Sequence, residues 1–127
     1  MTSNLKLAWL WFMLGGLMLV LVAILSLMPA PDTGVNDKLS HLLVYAILSG
    51  WFCSLVNRRG HLLSVVGGLI IYGGLIELLQ GLTADRYAEW GDLLANTLGI
   101  FLGLITYVTP IPRLLRIVDG GLARLRQ

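Results

Sequence analysis

The sequence predicts an all-α integral membrane protein, a four-helix bundle followed by a C-terminal amphipathic interfacial helix. Three observations predict it. The first is composition: 57% of the 127 residues are hydrophobic and 13% charged, with a mean hydropathy of +0.82. A soluble domain averages roughly 45–50% apolar and about 25% charged residues. A chain this short has too much surface for its volume to hide the excess. The second is patterning, because the apolar residues fall into four long segments parted by short polar breaks. The third is the lack of the period-two alternation that a closed barrel requires. Helices are then the spans that satisfy their own backbone groups in lipid.

The segments fall at residues 7–28, 39–56, 62–84 and 93–111. About 20 apolar residues cross a hydrocarbon core. The first is longer than a signal-peptide core of about 7–15 residues, and Pro29-Ala30-Pro31 after it is a poor cleavage site, so it reads as a span. The second is somewhat short, and Asp37 and Lys38 extend its helix into the headgroups. The breaks are turn sequences. Residues 29–34 stop the first helix, Asn57-Arg58-Arg59-Gly60 joins the second to the third, and residues 85–91 join the third to the fourth. Pro110 and Pro112 close the fourth. Breaks this short make consecutive helices antiparallel neighbours. The Gly-Gly pairs at 15–16, 67–68 and 73–74 are expected at close helix contacts.

Residues 1–112 therefore form the four-span domain, and residues 113–127 a basic tail. In the tail, Leu114, Leu115, Ile117, Val118, Leu122 and Leu125 share one helical side, and Arg113, Arg116, Arg124 and Arg126 the other. That pattern suits an anionic membrane surface. Gly120-Gly121 is expected to fray it. Lys6, Arg58, Arg59 and the four tail arginines place both termini and the second loop in the cytoplasm. The first and third loops, carrying Lys38 and Arg86, face outward. The expected location is a bacterial inner membrane, crossed several times. The small net charge of +2, with no Lys/Arg run and no stacking platform, excludes nucleic acid as a partner. The lone Cys53 excludes an intrachain disulfide.

Ionisable groups inside a membrane cost several kcal/mol and normally face a partner or a wet cavity. Here they gather at one end. Asp37, His41 and Tyr45 are spaced i, i+4, i+8 on the second helix, with Lys38 beside them. Glu77 and Gln80 lie in the outer third of the third helix, and Asp92 and Asn96 at the outer start of the fourth. Arg86 and Glu89 sit in the loop between. At about 1.5 Å rise per residue these groups reach similar depths. Helices two, three and four are expected to surround a shallow polar pocket open to the outer side, with the first helix behind them. Gly99-x-x-x-Gly103 continues inward as a packing stripe.

Asp37-Lys38-x-x-His41-x-x-x-Tyr45, Glu77-x-x-Gln80, and Arg86 followed by Asp92-x-x-x-Asn96-x-x-Gly99-x-x-x-Gly103 resemble the VanZ-like membrane family. The resemblance covers residues 37–103, and its namesake is associated with low-level teicoplanin resistance. It implies a cell-envelope protein connected with the glycopeptide antibiotic response.

Glu77, His41 and Asp92 are the candidate catalytic acids and bases, since buried carboxylates and imidazole titrate within reach of neutral pH. Each has a bland counterpart: Glu77 pairing with a cation, His41 fixing helix register, Asp92 capping the fourth helix. Asp37, Lys38, Tyr45, Gln80, Arg86 and Asn96 are the candidate ligand contacts, and Lys38 and Arg86 suit a phosphate at headgroup level. His41, Glu77 and Asp92 could together hold a cation, but no paired local ligand motif accompanies them, so no metal and no cofactor are expected. The expected partners are membrane lipids, a lipid-linked envelope precursor, and further copies of the chain. Whether the chain is an enzyme stays open at this stage, because no pocket Ser or Cys offers a nucleophile. The competing readings are a transport or assembly module and a polar cluster that only pairs helices.

Overall fold

The computed structural model describes residues 5–29, 36–84 and 87–126. Its regular elements are all helical: α1 (Ala8–Leu27), α2 (Asp37–Leu55), α3 (Arg59–Gln80), α4 (Trp90–Gly103), a short 3-10 helix (Leu104–Val108) and α5 (Ile111–Arg124). Four stretches are long and apolar enough to cross a membrane: Ala8–Leu27, Asp37–Leu55, Arg59–Gln80 and Trp90–Val108. They match the four segments expected from sequence, with shifted ends.

Local chemistry sets those ends. Asn36 caps α2, its side chain accepting from the backbone N–H groups of Lys38 at 3.0 Å and Leu39 at 3.4 Å. Asp37 and Lys38 thus lie inside the first turn, as the sequence predicts. The fourth span narrows to 3-10 geometry over its last turn and stops at an extended Thr109. Pro110 closes it, because the residue before a proline is pushed out of helical geometry, while Pro112 lies beyond the end. Pro110 is the cap of α5 and Pro112 lies in its first turn, where the missing N–H costs no helix bond. The tail helix therefore starts at Ile111 and runs unbroken through Gly120-Gly121, which were expected to fray it.

Helix α2 is the hub. It packs against α4 most closely, because a Cβ on Gly99 would strike the Leu42 carbonyl and one on Gly103 would lie 2.5 Å from the Ala46 carbonyl and from Ser49 Cβ. The two backbones meet there without side chains between them. Ser49 Oγ donates to the Ile100 carbonyl at 2.7 Å across the same seam. Helices α1 and α3 cover the other side of α2. Gly15 receives the Phe52 ring, Gly73 lies under Tyr45 and Asn96, and the Tyr72 hydroxyl donates to the Leu19 carbonyl at 2.6 Å. Two of the three glycine pairs are used, each through one member: Gly16 and Gly74 face open space, since neighbours on a helix point about 100° apart and cannot both meet one partner, and neither Gly67 nor Gly68 meets a neighbour.

The N-terminus of α1 has no local side-chain cap. Its donors are met from the far end of the chain. Asp119 of α5 accepts from the backbone N–H groups of Lys6 at 2.6 Å and Leu7 at 2.9 Å, and from the Trp11 indole at 2.8 Å. The residue is 1% exposed. Burial alone would push its carboxyl up. The hydrogen bonds from Trp11, Lys6 and Leu7 and the Lys6 charge outweigh that and hold it below the usual 3.8.

Two outcomes follow from this packing. Gly99→Ala is expected to lower stability by about 1–3 kcal/mol, the usual cost of overpacking. Gly67→Ala, with nothing near its Cβ, is expected to be neutral or slightly stabilising; unfolding in detergent compares the two. Asp119→Ala is expected to cost about 1.5–3 kcal/mol, the range for a charged hydrogen-bonding group. Because the folded-state pKa is lowered, Asp119 stabilises above its ordinary pKa, and that contribution is lost as pH falls below about 4. The wild type should therefore lose its margin over Asp119→Asn in thermal melts taken at successively lower pH.

Candidate functional site

One end of the bundle collects the polar residues of α2, α3 and α4. The close α2–α4 seam puts the first turns of both helices side by side. There His41 Nδ1 lies 2.9 Å from Asn96 Oδ1. An amide oxygen only accepts, so Nδ1 carries the hydrogen and donates. The other ring nitrogen, Nε2, faces two carboxylates, Asp37 Oδ2 at 3.8 Å and Asp92 Oδ2 at 3.9 Å. Glu77 reaches in from α3, its Oε1 3.8 Å from His41 Nδ1. Its second oxygen accepts from the Glu89 backbone N–H at 3.4 Å. Glu77, Asp92 and Asn96 are all buried, while the Asp37 side chain is 58% exposed at the rim.

Lys38 bridges the rim. Its Nζ lies 2.9 Å from Glu89 Oε2 and 3.4 Å from Asp92 Oδ1. Asp92 therefore meets a cation with one oxygen and His41 with the other. It also occupies the first turn of α4, where the helix dipole favours an acid. Among the described residues, three polar atoms of this end are buried without a hydrogen-bond partner: the Tyr45 hydroxyl, Glu77 Oε1 and Asn96 Nδ2. Such atoms are costly to bury, and they cluster here.

Beside the cluster is a cavity of about 140 Å³. Its walls are Val22, Leu25 and Ser26 of α1, Asp37, Ser40, His41, Val44 and Tyr45 of α2, and Gln80 of α3. This cavity opens between α1, α2 and the end of α3. Two others at the same end border α4: one of about 480 Å³ between α3 and α4, with Glu77, Glu89 and Trp90 in its wall, and one of about 410 Å³ between α2 and α4, with Lys38 and Gly91 in its wall. The first helix is a wall rather than a support, and Gln80 ties it in by donating to the Ser26 carbonyl at 2.9 Å.

The structure brings together His41, Glu77, Asp92 and Asn96, with Asp37 and Lys38 at the rim and Tyr45 and Gln80 on the cavity wall. Arg86 lies outside the described residues. The set of possible metal ligands differs from the one considered from sequence. Single donor atoms of Asp37, His41 and Asp92 lie within 4.8 Å of one another, so Asp37 stands where Glu77 was considered. Sequence analysis placed Glu89 in the adjoining loop without a role; it holds both Lys38 and, through its N–H, Glu77. At the other end of the bundle, Asp119 carried no signal except an acid on an otherwise basic helix.

Over 93 residues the chain is 33% identical to an uncharacterized protein of Schizosaccharomyces pombe, a match covering 69% of this chain and 56% of that protein. The chain thus spans about half the length of the curated relative it matches. No family model and no solved structure matches it.

Proposed function

We propose that the chain is a VanZ-like inner-membrane protein whose outward-facing polar pocket binds or processes an amphiphilic cell-envelope molecule carrying a phosphate. Both termini and the turn at Asn57 to Arg59 lie on the cytoplasmic side, and the His41 end lies under the outer leaflet. The tail helix α5 rests on the inner headgroups through its arginines. Large apolar side chains pointing outward, such as Leu17, Leu63, Leu78 and Phe101, suit lipid as the surrounding solvent.

One observation carries the reading. Buried acids, an imidazole and unpartnered polar atoms gather at a single end of an apolar bundle, beside a cavity lined by Asp37 and His41, with Lys38 on the neighbouring α2–α4 rim. Structural pairing alone would leave these atoms satisfied. An amphiphile's head can meet them while its tail lies along α1 and α2, whose exposed faces are apolar. Lys38, with Arg86 from the adjoining loop, supplies the positive charge for a phosphate. Glu77 and His41 handle protons.

The second reading is a transport or assembly module whose polar cluster mainly pairs helices. The His41–Asn96 and Gln80–Ser26 bonds favour it, because each joins two helices. Four spans are few for a transporter, so this module would work as a homo-oligomer.

Protein reconstituted in lipid nanodiscs is expected to bind a short-chain polyprenyl phosphate, and Lys38→Ala is expected to weaken that binding about tenfold, the worth of one charged contact. Equal binding by the two proteins would remove the phosphate reading. Glu77→Gln separates the alternatives: normal abundance with lost binding supports the pocket, whereas lost abundance with normal binding supports helix pairing.

A further inference from the structure

We propose that Tyr45, Glu77 and Asn96 hold one water molecule between α2, α3 and α4, in the space that Gly73 leaves, and that this water positions the Glu77 carboxyl. The site does not depend on which amphiphile the cavity takes.

Three side chains end here with bonding capacity unused. Among the described residues, the Tyr45 hydroxyl, Glu77 Oε1 and Asn96 Nδ2 are buried without a hydrogen-bond partner. The residues that carry them are 2%, 5% and 1% exposed. They come from three helices, Tyr45 from α2, Glu77 from α3 and Asn96 from α4. Gly73 is their meeting point. A Cβ there would lie 3.3 Å from the Tyr45 hydroxyl oxygen and 3.4 Å from Asn96 Nδ2. Glu77 follows four residues later, on the same face of α3. Its Oε1 is 3.8 Å from His41 Nδ1, beyond hydrogen-bond length. The hydrogen on that nitrogen already goes to Asn96 Oδ1 at 2.9 Å. Glu77 Oε1 therefore stands beside the Asn96 amide and receives no donor from His41.

The three atoms select their occupant by what each can do. An amide nitrogen only donates, a carboxylate oxygen only accepts, and a phenol hydroxyl does both. A metal ion or an ammonium cannot accept from Asn96 Nδ2. An anion cannot donate to Glu77. An apolar group satisfies none of the three. A water accepts from Asn96, donates to Glu77 and bonds Tyr45 with its remaining capacity. About three such bonds are usual for a buried water. Burial of all three atoms favours water over the hydroxyl of a ligand. Glycine at 73 provides the room, because any side chain would enter the gap between Tyr45 and Asn96. The water also lets Glu77 gain or lose a proton without orphaning an atom, since it donates to a carboxylate and accepts from a carboxylic acid. Tyr45 lines the cavity, so the bonded series from Glu77 through water to Tyr45 reaches the cavity wall. Gly73 and Tyr45 are thus positioning residues for the buried acid.

The full chain in nanodiscs tests the site through two substitutions at one position. Gly73→Ser brings a hydroxyl toward the place of the water, whereas Gly73→Ala brings the same Cβ without one. The serine variant is expected to melt about 4 °C above the alanine variant, the shift that one hydrogen bond gives. At Gly74, which has nothing near its Cβ, serine is expected to bring no gain over alanine. The infrared carboxyl band of Glu77, assigned by its loss in Glu77→Gln, is expected to shift in Gly73→Ala and to return toward the wild-type position in Gly73→Ser. A crystal structure that resolves ordered waters should show one peak within hydrogen-bond distance of all three atoms. Direct bonds among the three atoms, no peak between them, or density continuous with the cavity would overturn the site. So would a Glu77 band that Gly73→Ala leaves unmoved, or a serine at this position that melts no higher than alanine.

Discussion

The contact between the backbones of α2 and α4 governs everything at the polar end. Two glycines, Gly99 and Gly103, let the helices approach until α4 rests against the Leu42 and Ala46 carbonyls. No side chain at either position could be accommodated without separating the helices. The approach fixes axial register as well as distance, because the glycines are one turn apart and each meets a carbonyl one turn along α2. Ser49 donating to the Ile100 carbonyl locks that register. Once it is set, Asn96 has to lie opposite His41, and Asp92 opposite both His41 and Lys38. The chemistry of the site is thus written in residues that never touch it.

At the polar end one cavity opens between α1 and α2, and another lies outside the seam between α2 and α4. His41 then stands as a partition. One side of its ring meets Asn96 and Glu77 in a buried layer, and the other belongs to a cavity wall. A group placed so can pass charge or protons between a buried acid and a wet space. At the opposite end the polar groups are handled differently. Ser54 donates to a backbone carbonyl, and Asp119 is saturated by three donors. Those bonds hold structure and leave little unsatisfied.

Much of this was legible in the sequence, for identifiable reasons. The four spans follow from long apolar runs, which leave little freedom in lipid. The i, i+4 spacing of Asp37, His41 and Tyr45 places them on one face whatever the partner helix. The convergence of His41, Glu77, Asp92 and Asn96 follows from loop lengths and antiparallel packing. What could not be read was azimuth. Periodicity says that Gly15-Gly16 or Gly67-Gly68 carries no bulk, but rotation about the helix axis decides which glycine meets a neighbour. That is also why the cavity beside α1 was not expected, alongside those that border α4. Asp119 was illegible for another reason: its partners, Lys6, Leu7 and Trp11, are more than a hundred positions away, and no local pattern links them.

The distribution of satisfied and unsatisfied polar groups bears on direction. A path across the bundle would need polar atoms with spare bonding capacity at successive depths. Instead Ser49 and Ser54 spend their hydroxyls on carbonyls of Ile100 and Gly50, Tyr72 spends its own on Leu19, and Leu48, Leu55 and Ile100 fill the space between. Among the described residues, spare capacity lies at Tyr45, Glu77 and Asn96 near the His41 end, and at His61 Nδ1 near the other. The clamp of Asp119 on the N-terminus of α1 holds the other end of that helix against α5. At the other end of α1, Gln80 donates to the Ser26 carbonyl, so α3 ties that end to the cavity wall. Under the proposed function a ligand would enter and leave by this same face.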